Sequence, residues 1–199
     1  MVNYVYQPST MGDMLAIYLE QTLPATRHSK KDNVVFIYHH DQLIGVNIFQ
    51  PKTLIKDLEQ GIIRRMKPSS IEVFNHRFQQ LGVQVVLPTF QSGFVVAEVQ
   101  QVEPHPDADA LFVCQVNIGA KVVQIVTNSQ KVKPSHRLVV ALPGAMLLDG
   151  QVLQEGMMLK VLSQGMFCSE KTLGITPETQ VGVYLLDLQR PIGKDFYGY

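Results

Sequence analysis

Short apolar runs separated by turn residues dominate the second half of the chain. Glycine, proline and aspartate stand between these runs, as at Pro143-Gly144 and Asp149-Gly150. Half a dozen short strands with such punctuation are typical of a small closed β-barrel. The predicted strands are 94–102, 111–117, 122–127, 137–142, 157–162 and 181–186.

The pattern in the first sixty residues is also β-rich. Residues 34–38 and 43–49 are apolar runs flanking a tight turn at Asp41-Gln42, which predicts a hairpin. Residues 27–33 are polar and are predicted to form a loop. Residues 13–21 mix helix-forming and strand-forming side chains, so periodicity leaves both elements open there.

One amphipathic helix is predicted over residues 68–82. Ser69 or Ser70 is a suitable N-cap, and Gly82 is a suitable C-terminal stop. Its apolar positions recur at helical spacing and predict one buried stripe. These positions are Ile71, Phe74, Phe78 and Leu81.

The pattern changes after this helix. Residues 83–87 are predicted to form a strand. Residues 88–93 are predicted to form a linker, because Pro88 and Gly93 flank a mainly polar stretch. The chain is therefore predicted to hold two domains, a smaller α+β module at 1–89 and a β-barrel domain at 90–199. The overall fold class is β-rich α+β.

Composition indicates an ordinary globular protein, with 46% apolar and 17% charged residues. There is no apolar run long enough to cross a membrane, and the N-terminus lacks the pattern of a signal peptide. The two cysteines, Cys114 and Cys168, do not form a disulfide framework. A cytoplasmic location is expected.

Net charge bears on the class of partner. The chain holds 17 basic and 17 acidic residues; residues 1–89 carry +2 and the remainder −2. Proteins that bind nucleic acid tightly and without specificity usually have a basic face. The net charge of zero therefore disfavours tight, non-specific nucleic-acid binding. A modest basic group is nevertheless predicted on the barrel loops, although scattered lysines also serve solubility. It comprises Lys121, Lys131, Lys133 and Arg137.

Residues 163–174 form the most distinctive stretch of the chain. Small residues, an exposed-looking Met166, Cys168 and the charged pair Glu170-Lys171 occur there without clean alternation, which predicts a loop with one helical turn at most. Loops held on a rigid scaffold frequently carry binding residues.

Two groups of residues have the chemistry of possible reactive or metal sites. His105, Asp107 and Asp109 have donors that suit a divalent cation, but the flanking prolines favour a turn whose aspartates bond their own backbone. Cys168 lacks a base at any informative spacing and is expected to be a packed thiol. No catalytic residue, metal site or cofactor is therefore predicted.

Five segments of the second half, spread over residues 93 to 195, have a distinctive order and spacing. They are 102–111, 114–116, 124–126, 139–145 and 163–174. Through them the second half resembles the tRNA-binding barrel of the phenylalanyl-tRNA synthetase β subunit and of the endothelial monocyte-activating polypeptide group. On residues 4–15 and 45–49, the first half resembles the N-terminal module of YtpR-type free-standing members.

This resemblance implies a five-stranded oligonucleotide-binding (OB) fold that recognises the shape of tRNA. It places Ser163 and Met166 at the tRNA contact, with Ser169 and Lys171 beside them. Departures are Ala110 and Gln164, where the family commonly has lysine and glutamate. Lys131 stands where the family has asparagine, which implies a partial replacement of the lost charge. The expected affinity is modest and salt-sensitive.

Three functions compete on the sequence. The first is non-catalytic binding of tRNA or another structured RNA. The second is a protein-binding or chaperone-like OB module, whose apolar loop residues such as Met146 and Met157 would equally serve a homodimer. The third is an enzyme centred on Cys168 or the His105 turn, which lacks an assembled base and oxyanion donor.

Overall fold

The computed structural model describes residues 1–175 and 182–198. The chain divides into two compact units, residues 1–92 and residues 93–199. Residues 176–177, whose Thr-Pro pair marks a turn in the sequence, and the beginning of the strand predicted at 181–186 lie outside the described residues.

The first unit is a six-stranded antiparallel sheet with one long helix. The strands follow the order β3-β4-β5-β2-β1-β6 across the sheet. Residues 13–21, left open by periodicity, contain a strand. The elements are β1 (Asn3–Tyr6), α1 (Pro8–Met11), β2 (Met14–Tyr18), β3 (Arg27–Lys31), β4 (Val34–His39), β5 (Gln42–Phe49), a 3-10 turn (Pro51–Thr53), β6 (Gly61–Ile62) and α2 (Pro68–Gln80).

Helix α2 buries three of the four residues of the predicted apolar stripe, while Leu81 follows the helix at its C-cap and is half-buried. Ile71, Phe74 and Phe78 are buried, and the Phe78 ring meets the ring of Phe36 on β4 edge-on, with centroids 5.5 Å apart. Gly82 adopts a left-handed φ of 69° just after the helix. The prediction of the helix and of its glycine stop is confirmed.

The predicted N-cap of α2 is wrong. The capping position is Lys67, which makes no side-chain cap hydrogen bond, and Pro68 takes the first turn. Proline is well suited there because its fixed φ matches the helix and its missing N–H leaves no donor unsatisfied. Ser69 and Ser70 therefore lie inside the helix.

Two other predictions in this unit are corrected. The polar stretch 27–33 contains strand β3, which lies at the sheet edge with mostly exposed side chains, so burial imposes no apolar pattern on it. Residues 83–87 are not a strand. The Leu87 backbone pairs instead with the Asn75 amide on α2, its N–H donating to Oδ1 at 2.7 Å.

The second unit is built on a β-barrel. Its strands follow the path β13-β10-β7-β8-β9, with β14 also paired to β10. The described elements are β7 (Phe94–His105), β8 (Ala108–Asn117), β9 (Val122–Thr127), β10 (Arg137–Ala141), β11 (Gly156–Met158), β12 (Val161–Ser163), β13 (Met166–Phe167), α3 (Glu170–Leu173) and β14 (Leu185–Leu186).

Residues 162–165, the closing segment, join the two ends of this path. Gln164 donates its backbone N–H to the Gln124 carbonyl on β9 at 2.8 Å, and the Gln124 side-chain amide donates to the Leu162 carbonyl at 2.8 Å. Strand β13 then pairs with β10. The β-rich fold class with a five-stranded C-terminal barrel is confirmed.

The interior of the barrel is filled by side chains from facing strands. Val99, Cys114, Ile125 and Leu138 are all essentially inaccessible to solvent. Alternate residues of β9 point inward, as a half-buried strand requires. Among the residues that the structure describes, no helix is long and apolar enough to cross a bilayer.

The single strand predicted over 157–162 is wrong, since the segment is a hairpin of β11 and β12. The chain reverses at Leu159 and Lys160, which take left-handed φ values of 46° and 70°. Consecutive positive φ angles characterise the tight turns of two-residue hairpins, which usually use asparagine and glycine. The absence of those residues hid the turn from the sequence pattern.

Candidate nucleic-acid interface

A groove of about 820 Å³ opens on the second unit next to the end of β9. One wall is the segment 127–131 that follows β9, and the other includes Met157 and Met158 of the β11–β12 hairpin. Residues of the closing segment and of β13 form the floor. The groove therefore brings together segments that are far apart in the sequence.

The charge of the groove differs from that of the unit around it. Among the described groove-lining residues, Lys131 is charged and none is an aspartate or a glutamate. Residues 93–199 as a whole hold 8 basic and 10 acidic residues, a net charge of −2. The groove is thus locally suited to an anionic ligand although the unit is acidic.

Local structure places Lys131 at the groove. Its neighbour Val132 is buried in the barrel core, which anchors the segment after β9. The Ser129 N–H donates to the Thr127 hydroxyl at 3.1 Å and tightens the turn before it. Lys133, on the other side of Val132, is exposed and is not among the described groove-lining residues.

Ser163 lies on the groove floor with its hydroxyl already engaged. The residue is 7% exposed. Its Oγ accepts the Val126 N–H of β9 at 3.1 Å and donates to the Gly165 carbonyl at 3.1 Å. The hydroxyl therefore ties the closing segment to β9, a role that the resemblance did not indicate.

Gly165 and Gln164 complete this junction. A Cβ on Gly165 would lie 2.9 Å from the Ala141 carbonyl oxygen and 3.2 Å from the Val140 side chain. Gln164, where the family commonly has glutamate, accepts the Gln124 N–H through its side-chain oxygen at 3.2 Å. The crossing of the barrel strands requires a residue without a side chain here.

Met166 and Ser169 line the same groove. Met166 is half-buried on β13, not the exposed loop residue predicted. Ser169 is the N-cap of α3, its Oγ accepting the Thr172 N–H at 3.2 Å, and Gly174 ends that helix in the left-handed conformation. The stretch 163–174 is therefore more regular than the loop predicted. Lys171, on α3, is exposed and is not among the described lining residues.

Arg137 and Lys121 are not brought to the groove. The Arg137 guanidinium forms an ion pair with Glu98 on the neighbouring strand at 2.6 Å and donates to the Arg190 carbonyl at 2.6 Å. Lys121 lies exposed between β8 and β9. The basic group predicted from the sequence is thus spatially divided.

His105 has a structural role that sequence reasoning missed. It is 5% exposed at the end of β7. Its Nδ1 accepts the Asp107 N–H at 3.1 Å, and its Nε2 donates to the Met158 carbonyl at 3.0 Å. The predicted turn is present, but the imidazole, not an aspartate side chain, makes this bond to the turn backbone. Over residues 1–175 and 182–198, no cluster of three or more potential metal ligands occurs.

Both cysteines are buried in the barrel unit. The Cys168 Sγ lies 3.8 Å from the Met166 carbonyl oxygen, to which the thiol donates. Burial raises the pKa of the Cys114 thiol to about 11. Because the nucleophile of a reactive cysteine is the thiolate, Cys114 is suited to packing and not to chemistry at neutral pH.

Comparison with known proteins shows the family of this chain. The family model described as "Putative tRNA binding domain" matches residues 94–195. The "Putative tRNA-binding protein YtpR" of Bacillus subtilis is 30% identical over 200 residues, covering 98% of this chain and 99% of that protein.

Two further relatives match part of the chain. The phenylalanine–tRNA ligase β subunit of Clostridium acetobutylicum is 40% identical over 103 residues, which are 51% of this chain and 13% of that subunit. The corresponding subunit of Neisseria gonorrhoeae is 37% identical over 136 residues, 65% of this chain and 17% of that subunit. The chain therefore belongs to the tRNA-binding domain family and, over nearly its whole length, to the YtpR-type members of it.

Proposed function

We propose that this protein is a non-catalytic RNA-binding protein whose ligand is tRNA or another structured RNA, bound at the groove of the second unit. Membership of the tRNA-binding domain family supports the class of ligand. The observation that carries the proposal is the groove itself, in which the described lining has Lys131 and no carboxylate although the unit is acidic.

The predicted site residues are proposed to divide into contacts and supports. Lys131 supplies a phosphate contact, and Met166 supplies an apolar surface for a sugar or base face. Ser163 supports the floor through its two internal hydrogen bonds, and Ser169 supports it by capping α3. Both serines hold the groove in shape.

The remaining cations are proposed to act at longer range. Lys121, Lys133 and Lys171 are exposed and contribute to the field that guides an RNA towards the barrel. Arg137 is proposed to stabilise the barrel through its ion pair with Glu98.

The burial of the cysteines supports a non-catalytic role. The Cys168 thiol is inaccessible, and both ring nitrogens of His105 are used in holding the backbone. Neither candidate of the enzyme hypothesis has a nucleophile free to meet a substrate.

A fluorescence titration with tRNA at several salt concentrations tests the proposal. We expect binding that weakens with salt, because phosphate contacts release counterions. Affinity for tRNA that never exceeds the affinity for unrelated duplex DNA, at any ionic strength, would contradict the proposed function. Recovery of polypeptides without RNA in a pull-down would favour the protein-binding alternative.

The variant Lys131→Ala sharpens this test. It should reduce the slope of log affinity against log salt by about 0.7 to 0.9, the value for one phosphate contact. Lys121→Ala is the matched control, since Lys121 is exposed in the same unit but does not line the groove. If the slope of log affinity against log salt changed equally in the two variants, the groove would not be the site of RNA binding.

Self-association and location complete the proposal. A homodimer is proposed because exposed leucines, Leu185 and Leu188, lie on the barrel unit at 45% and 63% exposure. Light scattering that yields the mass of a single chain would contradict it.

A cytoplasmic location, as expected for a tRNA ligand, is tested by cell fractionation.

A further inference from the structure

We infer that the groove receives one unpaired nucleobase, stacked on methionine side chains, with a neighbouring phosphate held by Lys131. This inference rests on the proposed function and specifies which feature of a structured RNA the groove reads. It concerns the groove wall formed by the β11–β12 hairpin, as well as the floor at Met166.

The charge of the groove lining favours a nucleobase as the occupant over the phosphate backbone of a duplex. A protein surface that tracks a duplex needs a row of cations, because each neutralised phosphate contributes separately to affinity. The described lining supplies Lys131 alone among cationic side chains. One phosphate can therefore be neutralised inside the groove, and the rest of its surface must match something uncharged.

The apolar part of the lining suits a flat aromatic ligand. Met157 and Met158 come from the hairpin, and Met166 comes from the floor. Thioether sulfur is polarisable and makes favourable contacts with aromatic rings. Every nucleobase presents such a face once it leaves the stack, so this surface binds unpaired bases with little preference among them.

Polar groups at the groove edge can meet the rim of the same base. Asn128 and Gln130 lie in the wall after β9, and Gln154 lies on the opposite side. A carboxamide offers both a donor and an acceptor, which fits the edge of an unpaired base. These edges are hidden in a base-paired helix, so the groove favours splayed nucleotides.

The structure holds the methionine wall in place without burying it. Met157 is 63% exposed, which is a large exposure for an apolar side chain. The hairpin that carries it is tied to the end of β7 by the hydrogen bond from His105 to the Met158 carbonyl. An exposed wall with an anchored backbone is ready to stack on a ligand without rearrangement.

The test uses the full chain with carbon-13 labels on the methionine methyl groups. The probes are tRNA, an RNA hairpin with one bulged nucleotide, and the same hairpin fully paired. We expect tRNA and the bulged hairpin to shift the methyl signals of Met157, Met158 and Met166 upfield through the ring current of the inserted base. The bulged hairpin should bind about five-fold more tightly than the paired one.

Paired variants assign this preference to the groove. Met157→Ala should reduce the preference for the bulged hairpin to less than about two-fold. Leu159→Ala is the control, because Leu159 is 56% exposed on the same hairpin but is not among the described lining residues. It should leave the preference unchanged.

The outcomes separate this inference from the function on which it rests. If tRNA binds and the three methyl signals stay in place, the inference is overturned and the proposed function stands. A failure of tRNA to bind overturns the proposed function together with the inference. Movement of these signals by an apolar peptide, without any response to RNA, would assign the groove to a protein partner.

Discussion

The closing segment and the groove rim, formed by the walls that carry Lys131 and Met157, lie side by side in the second unit. They differ in how their polar and apolar groups are used. The closing segment directs Ser163 and Gln164 inward, where each bonds the backbone of β9. The rim leaves Lys131 and Met157 exposed. A motif side chain that already bonds within the fold has less hydrogen-bonding capacity left for a ligand than one that is exposed.

Gly165→Ala should have the largest effect on stability. The added Cβ would lie 2.9 Å from the Ala141 carbonyl oxygen. Because this oxygen belongs to the backbone of a paired strand, it can move little to relieve the clash. We expect the free energy of unfolding to fall by about 3 kcal/mol, as for an overpacked core. Urea denaturation followed by circular dichroism measures it. Gly156→Ala is the matched control, because nothing lies within 4 Å of its added Cβ; equal losses would refute the crossing argument.

Ser163→Ala should have the next largest effect. It leaves the Val126 N–H without its side-chain acceptor in a buried position, which costs about 2 kcal/mol of unfolding free energy. The same denaturation experiment measures the change. Ser129→Ala, on the groove wall, should cost less than about 0.5 kcal/mol. A Ser163→Ala protein of unchanged stability that no longer binds tRNA would make Ser163 a direct contact.

Ser169→Ala removes the cap of α3 and should lower the free energy of unfolding by about 1 kcal/mol. Ser169→Asn should restore most of this stability, because asparagine is an equally good N-cap. Hydrogen exchange of residues 170–174 reports the fraying of this short helix. Identical exchange in the two variants would show that the hydroxyl does not act as a cap.

Lys131→Ala should have the smallest effect on stability, a change of less than about 0.5 kcal/mol in the free energy of unfolding. The residue is exposed, and its buried neighbour Val132 holds the segment. Its effect should appear in the salt dependence of tRNA binding instead. A variant that is destabilised as strongly as Ser163→Ala would place Lys131 with the closing segment and erase the distinction between the two regions.

Prediction from sequence succeeded where burial imposes a period on the side chains. Strand β9 has the bounds that were predicted, and the stripe on α2 is buried as expected. It failed at β3, an exposed edge strand, and at residues 83–87, where the Leu87 backbone pairs with the Asn75 side chain and not with a strand. Apolar pattern reports burial and does not report the hydrogen-bond partner.

The structure brings four of the eight predicted site residues together and leaves the other four outside the described lining of the groove. Lys131, Ser163, Met166 and Ser169 were identified from sequence, and all line one groove. Arg137 was grouped with Lys131 because the two are close along the chain, yet its guanidinium is held by Glu98. The wall at Met157 and the anchor at His105 were missed, since a 53-residue separation leaves no local signal.

The sequence by itself determined the β-rich fold class and the bounds of elements such as β9, because alternation and turn chemistry are local properties. Ser163 and Met166 were indicated by the resemblance to the tRNA-binding family and not by this pattern. Only the tertiary structure decided that the Ser163 hydroxyl bonds within the barrel and that Lys131, not Arg137, lines the groove. These outcomes depend on contacts between segments far apart in the chain, such as the hydrogen bond from the Val126 N–H on β9 to the Ser163 hydroxyl.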